Sequence, residues 1–179
     1  MNYKFIDIPN HELISEKICH HILNKTDVIK DSVMWNWINH FQLLTDIPEI
    51  AQLFKQLTLE VERIAIINAP PKIIGNIHID YDKVPRFLWP IRNCRGSFTN
   101  FYDVDTDNII NHTGPKGDKS FHIRDVEKAR YVESLELIAP VVFKPWVAHN
   151  VVTNPVYTTS RLSMTIKFKN SKLDILNIE

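Results

Sequence analysis

Polar and apolar residues alternate without a break through Arg161-Leu162-Ser163-Met164-Thr165-Ile166-Lys167-Phe168, which predicts a strand with one apolar face. Further strand signals recur from Leu59 onward, over 59–67, 73–79, 86–93, 97–104, 134–143 and 147–153. Pro70-Pro71, Gly96 and the stretch 111–119 punctuate them, and that stretch, with Gly114, Pro115 and Gly117, reads as a mobile surface loop. Upstream the period changes. From Asn10, a good N-cap, residues Leu13, Ile14, Ile18 and Ile22 make one apolar stripe at helical spacing, and this helix should cover a sheet. A second helix starts near Thr45 or Asp46 and presents Ile47, Ile50, Leu53, Phe54 and Leu57, with Pro48 tolerated in its first turn. Between the helices, Met34-Trp35-Asn36-Trp37-Ile38 alternates as a short strand or a lid would, and the strand is preferred. The chain therefore divides into a helical buttress at 1–58, a strand-rich body at 59–168 and a tail at 169–179, in one domain. Short strands separated by turn clusters indicate a sandwich or barrel, and together these elements suggest a jelly-roll barrel, two facing sheets with a pocket between them.

Composition narrows the setting more than the function. With 179 residues and 44% hydrophobic content, the chain can bury one sizeable core. Lys plus Arg and Asp plus Glu both number 21, so no overall field draws the protein to nucleic acid or to an anionic membrane. No apolar run approaches membrane-spanning length, and the first residues lack a charged start followed by an apolar signal core. A cytoplasmic location without a membrane partner is the expectation. Cys19 and Cys94 are too few for a disulfide framework and read as buried reduced thiols.

The chemistry lies in four elements. His78-Ile79-Asp80 places an imidazole and a carboxylate two apart, and side chains two apart on a strand project the same way. They can grip one metal ion together. His149, from a distant strand, would complete two imidazoles and one carboxylate on one face of the ion. This ligand set suits non-haem ferrous iron and leaves positions open for reaction. Arg161, Ser163 and Thr165 share the polar face of the last strand. If that face lines an interior, the planar guanidinium of Arg161 needs an anion, and a dicarboxylate ligand fits.

In order and spacing, His78, Asp80, His149 and Arg161 with Ser163 resemble the signature of the iron(II)- and 2-oxoglutarate-dependent oxygenases, over about residues 59–168. Pro90-Ile91-Arg92-Asn93-Cys94 and the 97–102 strand are similar to the small prolyl-hydroxylase-like and aspartyl/asparaginyl-hydroxylase-like members. The resemblance implies a double-stranded β-helix, a cupin-like jelly-roll, with helices against the larger sheet. It also implies Fe(II) on His78, Asp80 and His149, 2-oxoglutarate as cosubstrate on Arg161 and Ser163, and consumption of O2 with release of succinate and CO2. Hydroxylation of an amino acid or a protein or peptide side chain follows as the expected activity. The chain departs from many relatives in lacking a glycine turn before the distal histidine strand, where Pro140 and Pro145 stand instead.

Substrate recognition falls to the loops after Asp80 and around 111–130, with Tyr81, Arg86 and Trp146 as pocket candidates and Asn93, Asn100 and Tyr102 as further contacts. The remaining histidines, including His20, His21, His40, His112 and His122, are read as surface or half-buried residues outside the site. Two other functions stay open. The run Arg161-x-Ser163-x-Thr165-x-Lys167 approaches the Arg-x-Asn-x-Thr-x-Arg pattern of nucleobase-dealkylating oxygenases, but Ser163 and Lys167 depart from it and zero net charge argues against nucleic acid. The third is a non-catalytic jelly-roll module holding another metal or none.

Overall fold

The computed structural model describes residues 1–25, 35–81, 83–113 and 119–169. The chain runs β1 (Tyr3–Phe5), α1 (His11–Lys25), β2 (Trp35–Ile38), α2 (His40–Asp46), α3 (Pro48–Gln56), β3 (Val61–Ala69), β4 (His78–Asp80), β5 (Arg86–Arg92) and β6 (Phe98–Asp103). There follow β7 (Ile109–Thr113), β8 (Lys119–Ile123), β9 (Arg130–Glu136), β10 (Val141–Phe143), β11 (Ala148–Val152) and β12 (Arg161–Phe168). The protein is mainly β, with three helices and two antiparallel six-stranded sheets. The first sheet has the order β1-β10-β5-β12-β3-β2 and the second β7-β8-β4-β11-β6-β9. No strand pairing joins the two sheets among the described residues, so the expected closed barrel is replaced by two open sheets.

Alternation along β12 decides how the layers stack. Leu162, Met164, Ile166 and Phe168 turn to one side, where β5 sets Trp89 beside Met164 and Phe87 beside Ile166. Helices α1 and α3 cover this side with Ile14, Ile18, Ile22, Ile50 and Phe54. Burial of such side chains is worth about 1.5–3 kcal/mol each. The indole of Trp89 donates to Ser15 Oγ at 2.9 Å, and Ser15 donates to Pro90 O at 2.7 Å, which satisfies the polar atoms where α1 meets the sheet. Arg161, Ser163 and Thr165 turn the other way. Between the sheets, Leu88, Phe101, Leu135, Val141 and Phe143 form a second apolar cluster.

Several boundaries differ from the sequence expectation. Leu13 is exposed, so the α1 stripe begins at Ile14. Asn10 has φ +57°, not the extended backbone of a side-chain cap. The second helix starts at Pro48, and a separate short helix, α2, precedes it. The 134–143 segment divides into β9 and β10 around Pro140, which has no N–H to give to a ladder. Only the end of 73–79 forms regular strand, as β4. Of the stretch expected as a surface loop, 111–113 lie in β7 and 119 begins β8, while 114–118 lie outside the described residues. The helical preface also supplies strands β1 and β2 to the first sheet. Met34 and the tail from 170 lie outside the described residues. Among those described, no helix is long and apolar enough to cross a membrane.

Candidate metal centre

Antiparallel pairing of β4 with β11 places His78 directly opposite His149. Asp80, two residues along β4, lies on the same face as His78, and its backbone N–H donates to Pro145 O at 2.8 Å, which ties the end of β4 to the turn before β11. Local alternation and one long-range register thus bring three ligands together. One ligand atom from each of His78, Asp80 and His149 lies within 4.8 Å of the others. His78 Nε2 stands 3.8 Å from Asp80 Oδ1, and the two imidazole centroids are 4.4 Å apart. Ligand atoms that share an ion at about 2.1 Å each sit about 3 Å apart at a right angle, so modest side-chain rotations would close the set.

Both imidazoles are oriented through their other nitrogen. His149 Nδ1 donates to Val147 O at 2.8 Å, and His78 Nδ1 donates to Asn76 O at 3.0 Å. A carbonyl oxygen can only accept, so each ring carries its proton on Nδ1 and turns the Nε2 lone pair toward the other ligands. In both residues the acceptor is the carbonyl two positions earlier. His149 is buried, with Phe143 and Phe101 rings at 5.5 and 6.3 Å. Burial, then the neighbouring His78, pushes its pKa down to about 3 against the raising effect of the Val147 carbonyl. His149 is therefore neutral throughout the physiological range, as a metal ligand must be.

The carbonyl that holds His78 belongs to segment 73–76, which is fastened along β11. Gly75 N donates to Val151 O at 2.8 Å and Thr153 N to Ile73 O at 3.0 Å, while Thr153 Oγ1 accepts from Ile73 N at 2.9 Å. A Cβ on Gly75 would stand 3.2 Å from Val151 O, which explains a residue without a side chain there. Asn150 adds the side-chain anchor. Buried on the opposite face of β11 from His149, it donates through Nδ2 to Gly75 O at 3.0 Å and accepts at Oδ1 from Asn100 and Tyr102, both at 3.3 Å. Ser134 donates to Asn100 Oδ1 at 2.6 Å and continues the network outward to Tyr131.

The three ligands border a cavity of about 410 Å³ lined from both sheets. Arg161 lines it too, is 2% exposed, and has no hydrogen-bond partner for Nε and Nη1 among the described residues. Ser163, on the same face of β12, is buried with Oγ likewise unpartnered among them. Of the substrate-pocket candidates, Arg86 lines the cavity. Tyr81 does not: it is exposed, stacked on Phe121 beneath Lys119. Half-buried Trp146 is also outside the lining. Asn100 and Tyr102 belong to the outward network, and Asn93 donates to Thr159 and Ser160.

His122 was missed by the sequence reading. It pairs with His78 across β4 and β8, lines the cavity and stacks on His112 with centroids 3.9 Å apart. Burial, then His112 and His78, lowers its pKa. Its place depends on a β4–β8 pairing that no local pattern announces. No protein-family model matches the chain, and no curated protein matches it.

Two outcomes are expected. The buried His149 binds its proton far more weakly folded than unfolded, so its contribution to stability is present above about pH 6.5 and is lost as pH falls toward 3. The slope approaches about 1.4 kcal/mol per pH unit in metal-free protein, read from urea denaturation across that range, and His149→Asn should remove it. Asn150→Ala should leave His149 as its Nδ1–H tautomer while His78 becomes a mixture of tautomers in nitrogen-15 spectra of the imidazoles. An unchanged His78 spectrum would show that Asn150 does not position it.

Proposed function

We propose that this protein is an iron(II)- and 2-oxoglutarate-dependent oxygenase of the double-stranded β-helix, or jelly-roll, type that hydroxylates an amino acid or a peptide side chain. The observation that carries the reading is the buried guanidinium of Arg161, with Nε and Nη1 unpartnered among the described residues, in one cavity with His78, Asp80 and His149. A permanent charge held away from water is strongly unfavourable until an anion meets it. A short dicarboxylate relieves it by placing one carboxylate on the fork of Arg161 while its other end reaches the metal ligands. Ser163, expected as a second donor, lies two residues along the same face and is buried with Oγ unpartnered among the described residues, but it is outside the cavity lining.

Strand order supports the fold assignment. From β3 to β6 successive strands alternate between the sheets, and after the β7–β8 hairpin and β9 in the second sheet, β10, β11 and β12 alternate again. Setting aside the hairpin and the edge strands β1 and β2 leaves β10-β5-β12-β3 against β4-β11-β6-β9, an arrangement that fits two interleaved Greek keys.

When bound together, ferrous iron, 2-oxoglutarate and O2 supply oxidative hydroxylation of a C–H bond with release of succinate and CO2. The protein's part is to bind, orient and exclude. His78 and His149 offer Nε2 lone pairs held in place by Asn76 O and Val147 O. Asp80 contributes the anionic ligand that offsets part of the ion's charge. Phe101 and Phe143 shield the His149 side of the site from water. Arg161 would fix the orientation of the cosubstrate, directing its keto-acid end toward His78, Asp80 and His149.

Addition of ferrous iron and then 2-oxoglutarate under anaerobic conditions should produce a visible metal-to-ligand absorption band. Asp80→Ala should abolish it with loss of metal affinity. Arg161→Met should keep metal affinity, weaken 2-oxoglutarate by about 30-fold or more, and raise the stability of the ligand-free protein by removing an isolated charge. A variant that binds 2-oxoglutarate as tightly as the parent contradicts the reading.

A further inference from the structure

Edge strand β2 extends the cavity wall with aromatic surface. Its register on β3 sets Trp35 against Ile67 and Trp37 against Ala65, so both indoles share the face of the first sheet that bears cavity-lining Ile67. Trp35 lines the cavity and is 41% exposed, with the Trp37 ring 6.3 Å away. Trp37 is itself held by Arg63, whose guanidinium lies 4.6 Å over its ring. Ile73 and Ile74 line the same cavity from the segment fastened to β11, and Ile74 is 74% exposed. The backbones that carry them are paired, β2 to β3 and segment 73–76 to β11, yet these side chains leave apolar surface in water beside a cavity lined by the candidate metal ligands. Such surface is most simply explained by a ligand that covers it.

Size and charge restrict that ligand further. At about 410 Å³, the cavity lies near the low end of small-molecule sites, and a 2-oxoglutarate on Arg161 would take part of it. Arg86 also lines the cavity, which gives the lining two guanidinium groups.

Resting on the oxygenase reading for its reaction but not for its binding, we infer that the substrate is a free amino acid with an aliphatic or aromatic side chain packed between Trp35 and the Ile73–Ile74 segment. An acidic or basic side chain would leave its charge against this wall without a partner, which disfavours it. Trp35 is then the specificity-determining residue and Trp37 its support.

Calorimetric titration of the full chain, loaded anaerobically with ferrous iron and 2-oxoglutarate, with L-leucine, L-phenylalanine, L-aspartate and L-arginine tests this directly. Leucine or phenylalanine should bind at least about tenfold tighter than aspartate and arginine. Trp35→Ala should weaken the preferred ligand about tenfold and Trp35→Phe should restore most of it, with 2-oxoglutarate affinity unchanged in both. Preference for aspartate or arginine, binding of none of the four, or indifference to Trp35→Ala overturns the inference. A separate titration with 2-oxoglutarate keeps the two readings apart. If that ligand fails to bind while leucine binding still depends on Trp35, the oxygenase assignment falls and the apolar subsite stands.

Discussion

The pairing of β4 with β11 is the constraint on which the site depends. It is short, yet it sets His78 opposite His149, and a slip of one residue would turn the histidine of β11 toward the outer face. That register is over-determined. Asp80 N bonds to Pro145 O at one end, while beyond the other end Gly75, Ile74 and Ile73 are fastened to Val151, Val152 and Thr153. Asn150 then secures the same segment from the opposite face. A three-residue strand so held can present two ligands with little freedom, which a metal site needs from its scaffold.

A division of labour between the faces of the first sheet lets the cavity exist. Helices α1 and α3 bury the apolar side of β5 and β12, so hydrophobic stabilisation comes largely from the outer layer. The inner side can then carry Arg161, Ser163 and Thr165, a set that would be a liability in a conventional core. Phe101 and Phe143 have two roles. They fill the space between the sheets, and they desolvate His149 enough to keep it neutral.

Much of this was legible because it follows from a period of two. Unbroken alternation over 161–168 located β12, and the His-x-Asp spacing anticipated two ligands on one face. The fold class was legible in the succession of short strands, whereas the way the sheet edges end was not, since edge pairing leaves no local pattern and the two sheets stay open among the described residues. Strand β7 is largely exposed and lacks the apolar alternation that marks a half-buried strand, while β1 and β8, at three and five residues, alternate too briefly to stand out. Helix α2 did carry a signal that was passed over: Asn39 caps it by accepting from Gln42 N. Asn100 and Tyr102 were assigned contacts in the pocket, but the register on β11 turns them outward to Asn150. His122 reaches the cavity only through the long-range partner of β8, and Tyr81 is next to Asp80 in the chain but outside the cavity lining.

The central claim, that one cavity holds a metal on three side chains and an organic anion on a fourth, is tested most directly by a crystal structure of the protein with ferrous iron and 2-oxoglutarate, using anomalous scattering to locate the metal. The account predicts one strong peak within bonding distance of Nε2 of His78, Nε2 of His149 and the carboxylate of Asp80, with the anion's distal carboxylate on Arg161. Iron bound elsewhere, or an Arg161 guanidinium that leaves the anion unmet, would contradict it.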